Sequence, residues 1–377
     1  MHQRRARVAI GTLFLLNGFA FATWVSRIPA VQESLALSAG TLGAALAGLG
    51  TGSFVAMPLT GWLIARFGSR PVTSFATAGC CAAVILPGLA WDALTLGAAL
   101  VAFGAVMGAM DVAMNAQGVE LEHRYGSPIM STFHALFSVG GMLGASVGGT
   151  IASRHVGVFA HFVVVCAILA GGAALALPSL LSAPAPESDQ VSRRLRFSAA
   201  FVGLSVLAMC IMVSEGAMAD WTPVYLGSVL GTGPGLAAAG YAVFSAAMTA
   251  GRLAGDRLTV RFGRVTLVRT GALLAAVGLT FALTLESVPA ALFGFLCAGA
   301  GYSVIIPLVF SAAGRLDGRS AGPGLAAVTT AGYLGFLAGP AVIGFVAEAS
   351  TLPVALGLVV GLSICGASLA RFVRIGP

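Results

Sequence analysis

The chain contains no lysine, only two asparagines (Asn17 and Asn115), and a charged fraction of 9% in 377 residues. Soluble domains carry about 25% charged residues, so this chain lacks the polar surface that a water-exposed fold of its length needs. The positive charge is all arginine, and the arginines are scattered over short hydrophilic breaks. That placement excludes a basic nucleic-acid face. The six cysteines, Cys80, Cys81, Cys166, Cys210, Cys297 and Cys365, all fall inside apolar runs. None is spaced with histidine as a metal ligand, so they read as small buried hydrophobes and no metal site is expected. There is no HExxH and no Gly-rich phosphate loop with lysine, and no cofactor is expected. "GASVG" at 144–148 and "GRSAG" at 318–322 match the hydrolase nucleophile pattern, but neither has the strand-turn-helix setting that chemistry requires.

What the chain does have is apolar length: 58% hydrophobic residues, gathered in runs of 18–25. About 20 apolar residues cross a bilayer as a helix. The reading is an all-α polytopic membrane protein with twelve spans, near 8–28, 40–64, 72–91, 93–118, 129–152, 157–181, 198–222, 235–258, 266–285, 289–313, 322–347 and 353–371. "MHQRRAR" followed by Ala20-Phe21-Ala22 imitates a signal peptide, but the apolar run continues past it, which makes it a first span.

The longest hydrophilic break, "SAPAPESDQVSRRLR" at 182–196, divides the spans six and six. The expected organisation is a bundle at 1–181, a cytoplasmic linker at 182–197 and a second bundle at 198–377. Arginines fall almost entirely on one side when the N-terminus is placed inside; only Arg27 and Arg154 fall outside and Arg252 is left within a span. The positive-inside rule then puts both termini in the cytoplasm of a plasma (inner) membrane protein. "RFG" at 66–68 returns at 261–263, and the same offset maps Gly104 onto Gly299, Arg124 onto Arg319, Gly140 onto Gly335 and Gly144 onto Gly339. Two homologous halves follow, with a binding site expected between them.

Several stretches resemble the major facilitator superfamily. "GWLIARFGSRP" is similar to its signature loop through Gly61, Arg66, Gly68 and Arg70; Ala65 stands where the acid is expected. "MDVAMN" followed by "FHALFSVGG" resembles the fucose-permease-like sugar branch, and "TWVSRIPAVQESL" with "EGAMADW" its MosC/YbjJ-type bacterial relatives. The resemblance implies a transporter with spans 1 and 7 facing a central cavity and no enzymatic activity.

The chemistry-bearing residues lie inside spans. Asp111 stands past the middle of span 4, where a charge costs about 2.5–3.5 kcal/mol. Gly104, Gly108, Asp111, Asn115 and Gly118 share one helical face. Asp111 is therefore either a proton-binding carboxylate or a hydrogen-bonding hub between helices. His134 falls at similar depth in span 5 and either shares that proton or bonds a neighbouring helix. Glu215 in span 7 is the third proton-coupling candidate. Through the implied pairing of spans 1 and 7, Asn17, Trp24, Arg27, Asn115, Asp220 and Trp221 become substrate-cavity candidates, although both tryptophans also suit the interfacial belt. Arg66, Arg70, Arg252, Asp256 and Arg261 are assigned to a cytoplasmic gate, with Arg252 and Asp256 expected as an i,i+4 ion pair. Gly140, Gly144, Gly148 and Gly149 nearly match an antiporter motif, but Ala145 replaces its proline; close helix packing explains them as well. The expectation is a proton-coupled transporter of a small polar, sugar-like solute. Its only partners are that solute, protons and the lipid bilayer, with no nucleic acid and no obligatory protein partner. The alternatives are a proton-driven exporter of drugs or metabolites and a membrane sensor of transporter origin.

Overall fold

A computed structural model describes residues 2–125, 129–182, 198–313 and 323–374. Among them there is no strand, and the expected all-α membrane fold is what is found. Twelve long helices follow one another: α1 (His2–Val25), α2 (Ala39–Phe67), α3 (Ser69–Ala83), α4 (Ala93–Tyr125), α5 (Met130–Ser153), α6 (Val158–Ala176), α7 (Ala199–Val224), α8 (Pro234–Phe262), α9 (Arg264–Leu285), α10 (Val288–Tyr302), α11 (Pro323–Ala349) and α12 (Leu352–Leu369). A short helix, Ile28–Ser34, follows α1, and Ile305–Ala313 continues α10 after a break.

Eleven of the described segments are long and apolar enough to cross a membrane, not twelve. The exception is α8. Its second half carries Arg252, Asp256, Arg257 and Arg261 within one helix, which dilutes its hydropathy. It is nonetheless a full-length helix, and it packs between α5 and α10.

Packing falls into two sets of neighbours. In the first, α1 lies on α5 and α6, and α4 lies on α2 and α3; in the second, α7 lies on α11 and α12, and α10 lies on α8 and α9. Two extensive contacts join the sets: α5 with α8, and α2 with α11. The sequence repeat is carried into this packing. Gly68 and Gly263 both end a helix in the left-handed region, at φ 82° and 76°, and both stand at the start of the next one. That backbone favours glycine. Gly104 of α4 lies against the Leu49 carbonyl of α2, and its counterpart Gly299 of α10 lies against the Phe244 carbonyl of α8. In each pair a side chain on the glycine would strike backbone, so the two helices can approach this closely only because both glycines lack one.

Polar side chains inside the bundle have assignable work. Gln117 of α4 is fully buried and donates to the Ser69 hydroxyl (2.7 Å) and the Leu181 carbonyl (2.9 Å), while its Oε1 accepts from the Leu181 N–H (2.9 Å). It stands six residues beyond Asp111 and so on a different face. One amide thus fastens α4 to the start of α3 and the segment after α6. All six cysteines are free. The linker 182–197 lies outside the described residues except at Ser182, as do the side chain of Asp256 and the "GRSAG" stretch.

Candidate functional site

A cavity of about 290 Å³ opens between the two sets of helices. Each helix that reaches it presents a stripe at helical spacing. From α1 come Phe14, Asn17 and Phe21; from α7 come Met212, Glu215 and Ala219; from α8 come Tyr241, Ser245, Met248 and Arg252. Residues three, four and seven apart fall on one face, so each stripe turns the polar members of an apolar helix toward one space. Asp111 of α4, His134 and Ser138 of α5, and Tyr333 and Phe336 of α11 add further polar and aromatic side chains, with Ser53 of α2.

Asp111 is held on three sides. The Asn115 side-chain amide donates to its carboxylate (3.1 Å) and to its backbone carbonyl (2.8 Å). The Tyr333 hydroxyl donates to the other carboxylate oxygen at 3.4 Å, from the opposite set of helices. Glu215 lines the same cavity, but its Oε1 is shut off from solvent and has no hydrogen-bond partner among the described residues. His134 stands open to the cavity, edge-on to Phe14 at 5.3 Å. Asn17 points its amide at the Met114 sulfur (3.8 Å), a weak acceptor.

Arg252 reaches the other set of helices, while the side chain of Asp256, its expected i,i+4 partner, lies outside the described residues. The Arg252 guanidinium lines the cavity and donates to the Ser138 hydroxyl of α5 at 2.6 Å. The i,i+4 spacing that suggested a pair with Asp256 cannot reveal a partner on another helix. Among the described residues the one ion pair is Arg124–Glu120. Arg66, Arg70 and Arg261 each make their contacts, among the described residues, within one set. Arg66 lies over Trp62 and Phe67, Arg70 reaches Ser182 and the Pro178 carbonyl, and Arg261 lies over Phe262.

Trp24, Arg27, Asp220 and Trp221 are buried and do not line the cavity. They sit toward the end of the bundle away from the chain termini. Trp24 and Trp221 are enclosed by protein, so the interfacial-belt role fits the exposed Trp62 and Trp91 better. Arg27 donates to the Val156 carbonyl at 2.6 Å. At this end the sets are pressed together. Gly43 of α2 meets Pro340 and Gly344 of α11, and Gly149 of α5 meets Gly235 and Ala238 of α8. The Glu348 carboxylate of α11 accepts from the Ser38 hydroxyl (2.8 Å) and the Gly40 N–H (2.7 Å) at the start of α2.

Sequence reasoning missed Tyr241, Tyr333, Ser138 and the methionines Met57, Met107, Met212 and Met248 that line the cavity. One signal was present: Tyr241, Ser245, Met248 and Arg252 share a face of α8. Among the described residues no group of three metal-ligating side chains occurs.

A twelve-helix membrane fold with a cavity between two sets of helices, apolar in the main with a few polar and ionisable groups, is the architecture of a membrane transporter. The sequence profile of the Major Facilitator Superfamily matches residues 10–340. An uncharacterised MFS-type transporter of Yersinia pestis is 39% identical over 372 residues, covering 97% of this chain and 95% of that protein. The membrane protein MosC of Rhizobium meliloti is 31% identical over 364 residues, covering 97% and 89%. The chain belongs to the major facilitator superfamily. Among solved structures, an inward-facing, unoccupied bacterial homologue of the human lysosomal transporter Spinster superposes with a TM-score of 0.78 at 16% identity, covering 100% and 99% of the two chains. A point mutant of the nucleoside transporter NupG gives 0.76 at 12%, covering 98% and 100%. At these identities the two structures show the fold alone.

Proposed function

We propose that the protein is a proton-coupled secondary transporter of a small polar solute that works by alternating access. Residues 1–181 and 198–377 act as its two halves, joined by 182–197, with both termini in the cytoplasm of the inner membrane. The observation that carries this reading is Asp111. It is an acid inside a membrane-spanning helix, facing a cavity, and it accepts a hydrogen bond from Tyr333 of the other half. A carboxylate in that position can bind a proton when the cavity is open to one side and release it when the cavity is open to the other. Its hydrogen bond to the opposite half ties its environment to the relation between the halves. The seal at Gly43, Gly149 and Glu348 supports a state closed at the end away from the termini. Arginine placement makes that the outer side.

The test is uptake by vesicles reconstituted with the purified protein under an imposed pH gradient. Asp111→Asn leaves a neutral amide that imitates the protonated acid. It is expected to keep equilibrium exchange and to abolish accumulation against a gradient. An Asp111→Asn protein that still concentrates its solute overturns the assignment.

A second reading, proton-driven export of amphiphilic compounds, is favoured by the rings and the four methionines of the lining. Flexible thioethers adapt to varied apolar shapes. The direction of flux in the same vesicles separates the two.

A further inference from the structure

We infer that the cavity takes a solute carrying one protonated amine, which pairs with Glu215 while its body lies among aromatic rings. The inference rests on the transporter reading above and names its substrate class.

The argument starts from which polar atoms of the lining are already occupied. Ser53 donates to the Gly104 carbonyl at 2.8 Å. Ser138 accepts from Arg252, and Asn17 is turned to the Met114 sulfur. Asp111 accepts from Asn115 and Tyr333. These groups bond within the protein and His134 alone of the uncharged candidates stands open, so the lining offers few partners to the many hydroxyls of a polyol. Among the acids of the lining the exception is Glu215. Its Oε1 is buried at the cavity wall, and among the described residues no side chain or backbone group donates to it. Arg252, the guanidinium in the same cavity, is held by Ser138 and makes no ion pair with it. A carboxylate oxygen held out of water without a donor forfeits its hydration, and the Arg252 charge in the same cavity, making no hydrogen bond to it, returns only part of that loss. A solute that supplies a donor recovers that loss, and one that supplies a positive charge recovers most.

The walls near Glu215 agree with this. Phe336 packs against Gly216, the next residue on α7. Tyr241 stacks with Phe244 at 6.0 Å between ring centroids and meets Phe21 edge-on at 6.0 Å. Ring faces attract cations, so a carboxylate among rings recognises an ammonium twice, by charge pairing and by cation–π contact. A neutral alcohol of the same shape gains the ring contact without either electrostatic term. Arg252 limits the choice further, because its fixed positive charge opposes a second cationic group on the solute. The two acids then divide the work. Asp111, already bonded, handles the proton, whereas Glu215, unbonded, receives the solute; the sequence alone groups them together.

The experiment uses the full chain, purified in detergent, and pairs of probes matched in shape: benzylammonium against benzyl alcohol, and cyclohexylammonium against cyclohexanol. Calorimetric titration is expected to show each ammonium binding at least about tenfold more tightly than its alcohol. Glu215→Gln is expected to erase that preference, and Asp111→Asn to keep it. Should Glu215→Gln fail to fold, the matched pairs on the unaltered protein still decide. Equal affinities, preference for the alcohols, no binding of either ammonium, or a preference that survives Glu215→Gln overturns the inference. The transporter reading fails separately. Vesicles that concentrate a neutral solute under a pH gradient while ignoring both ammoniums leave that reading standing and remove this inference. A protein that binds ammonium without any gradient-driven flux does the reverse.

Discussion

The two seams that join the halves change character along their length. Toward the end away from the termini, α2 meets α11 through Gly43 and Gly344, and α5 meets α8 through Gly149 and Gly235. At the cavity the same seams are held by side-chain hydrogen bonds, Ser138 to Arg252 along one and, beside the other, Asp111 to Tyr333 from α4 to α11. The difference separates two ways of closing a gap. Small residues let backbones touch and leave no space for water, but they tolerate no added atoms. Polar side chains span a wider gap with single bonds that a solute or a proton can replace. The sealed end is a surface fit, and the cavity end is a set of exchangeable contacts.

The strongest way to break that contrast is to spoil the fit. Gly43→Leu would place a side chain against the Pro340 carbonyl and Gly344, and overpacking of this kind costs about 1–3 kcal/mol. The expected outcome is a protein biased toward opening at the sealed end, read as increased reactivity of a cysteine introduced at the buried Ala347 of α11. Unchanged reactivity would mean the seal does not depend on glycine contact. Glu348→Gln is milder, because the amide oxygen still accepts a hydrogen bond but the charge is lost. It removes about half the worth of a charge-assisted bond at the start of α2, and a smaller rise in the same reactivity is expected. If Glu348→Gln exceeds Gly43→Leu, the carboxylate rather than the packing holds that end.

At the cavity end Ser138→Ala takes away the partner of Arg252 and frees the guanidinium. The expected result is a change in solute affinity of about threefold to tenfold with little change in melting temperature. A large fall in melting temperature with unaltered affinity would make the bond structural. The smallest effect is expected at Asp92, outside the spans. Its carboxylate lies below the usual range because the Thr95 side chain, first, and the Thr95 N–H donate to it at the start of α4. A depressed value means that its stabilisation is present above the ordinary aspartate value and lost as pH falls through the lowered one. Asp92→Ala should therefore lower the melting temperature slightly at neutral pH and not at all in strong acid, and a decrement independent of pH would exclude the carboxylate as its source.

Much of this architecture was legible in the sequence because bilayer insertion imposes length and composition on each helix. Eleven of the spans carry that signal plainly; α8 carries it least, because Arg252, Asp256, Arg257 and Arg261 crowd its second half. The repeat was legible where backbone geometry demands glycine, at Gly68 and Gly263, and where helices touch, at Gly104 and Gly299. Asp111, His134 and Glu215 stood out because an ionisable group in an apolar run is expensive. Tyr333 and Ser138 did not, since a hydroxyl in a helix is cheap and its partner lies on another helix far along the chain. The bond from Arg252 to Ser138 was hidden for a related reason, because its partner lies 114 residues away on another helix. Trp24 and Trp221 show the converse, because a tryptophan near a helix end reads the same whether lipid headgroups or protein surround it.

Gln117 has one more consequence. Its three bonds fasten α4 to the start of α3 and to Leu181, so that part of the molecule carries its own fixed frame of reference. Spectroscopic labels placed on α3 and α4 would hold a constant separation through a transport cycle, and labels on α4 and α11 would not. The first pair supplies the zero of a ruler against which the second is read, so that drift of a label can be told from movement of a half.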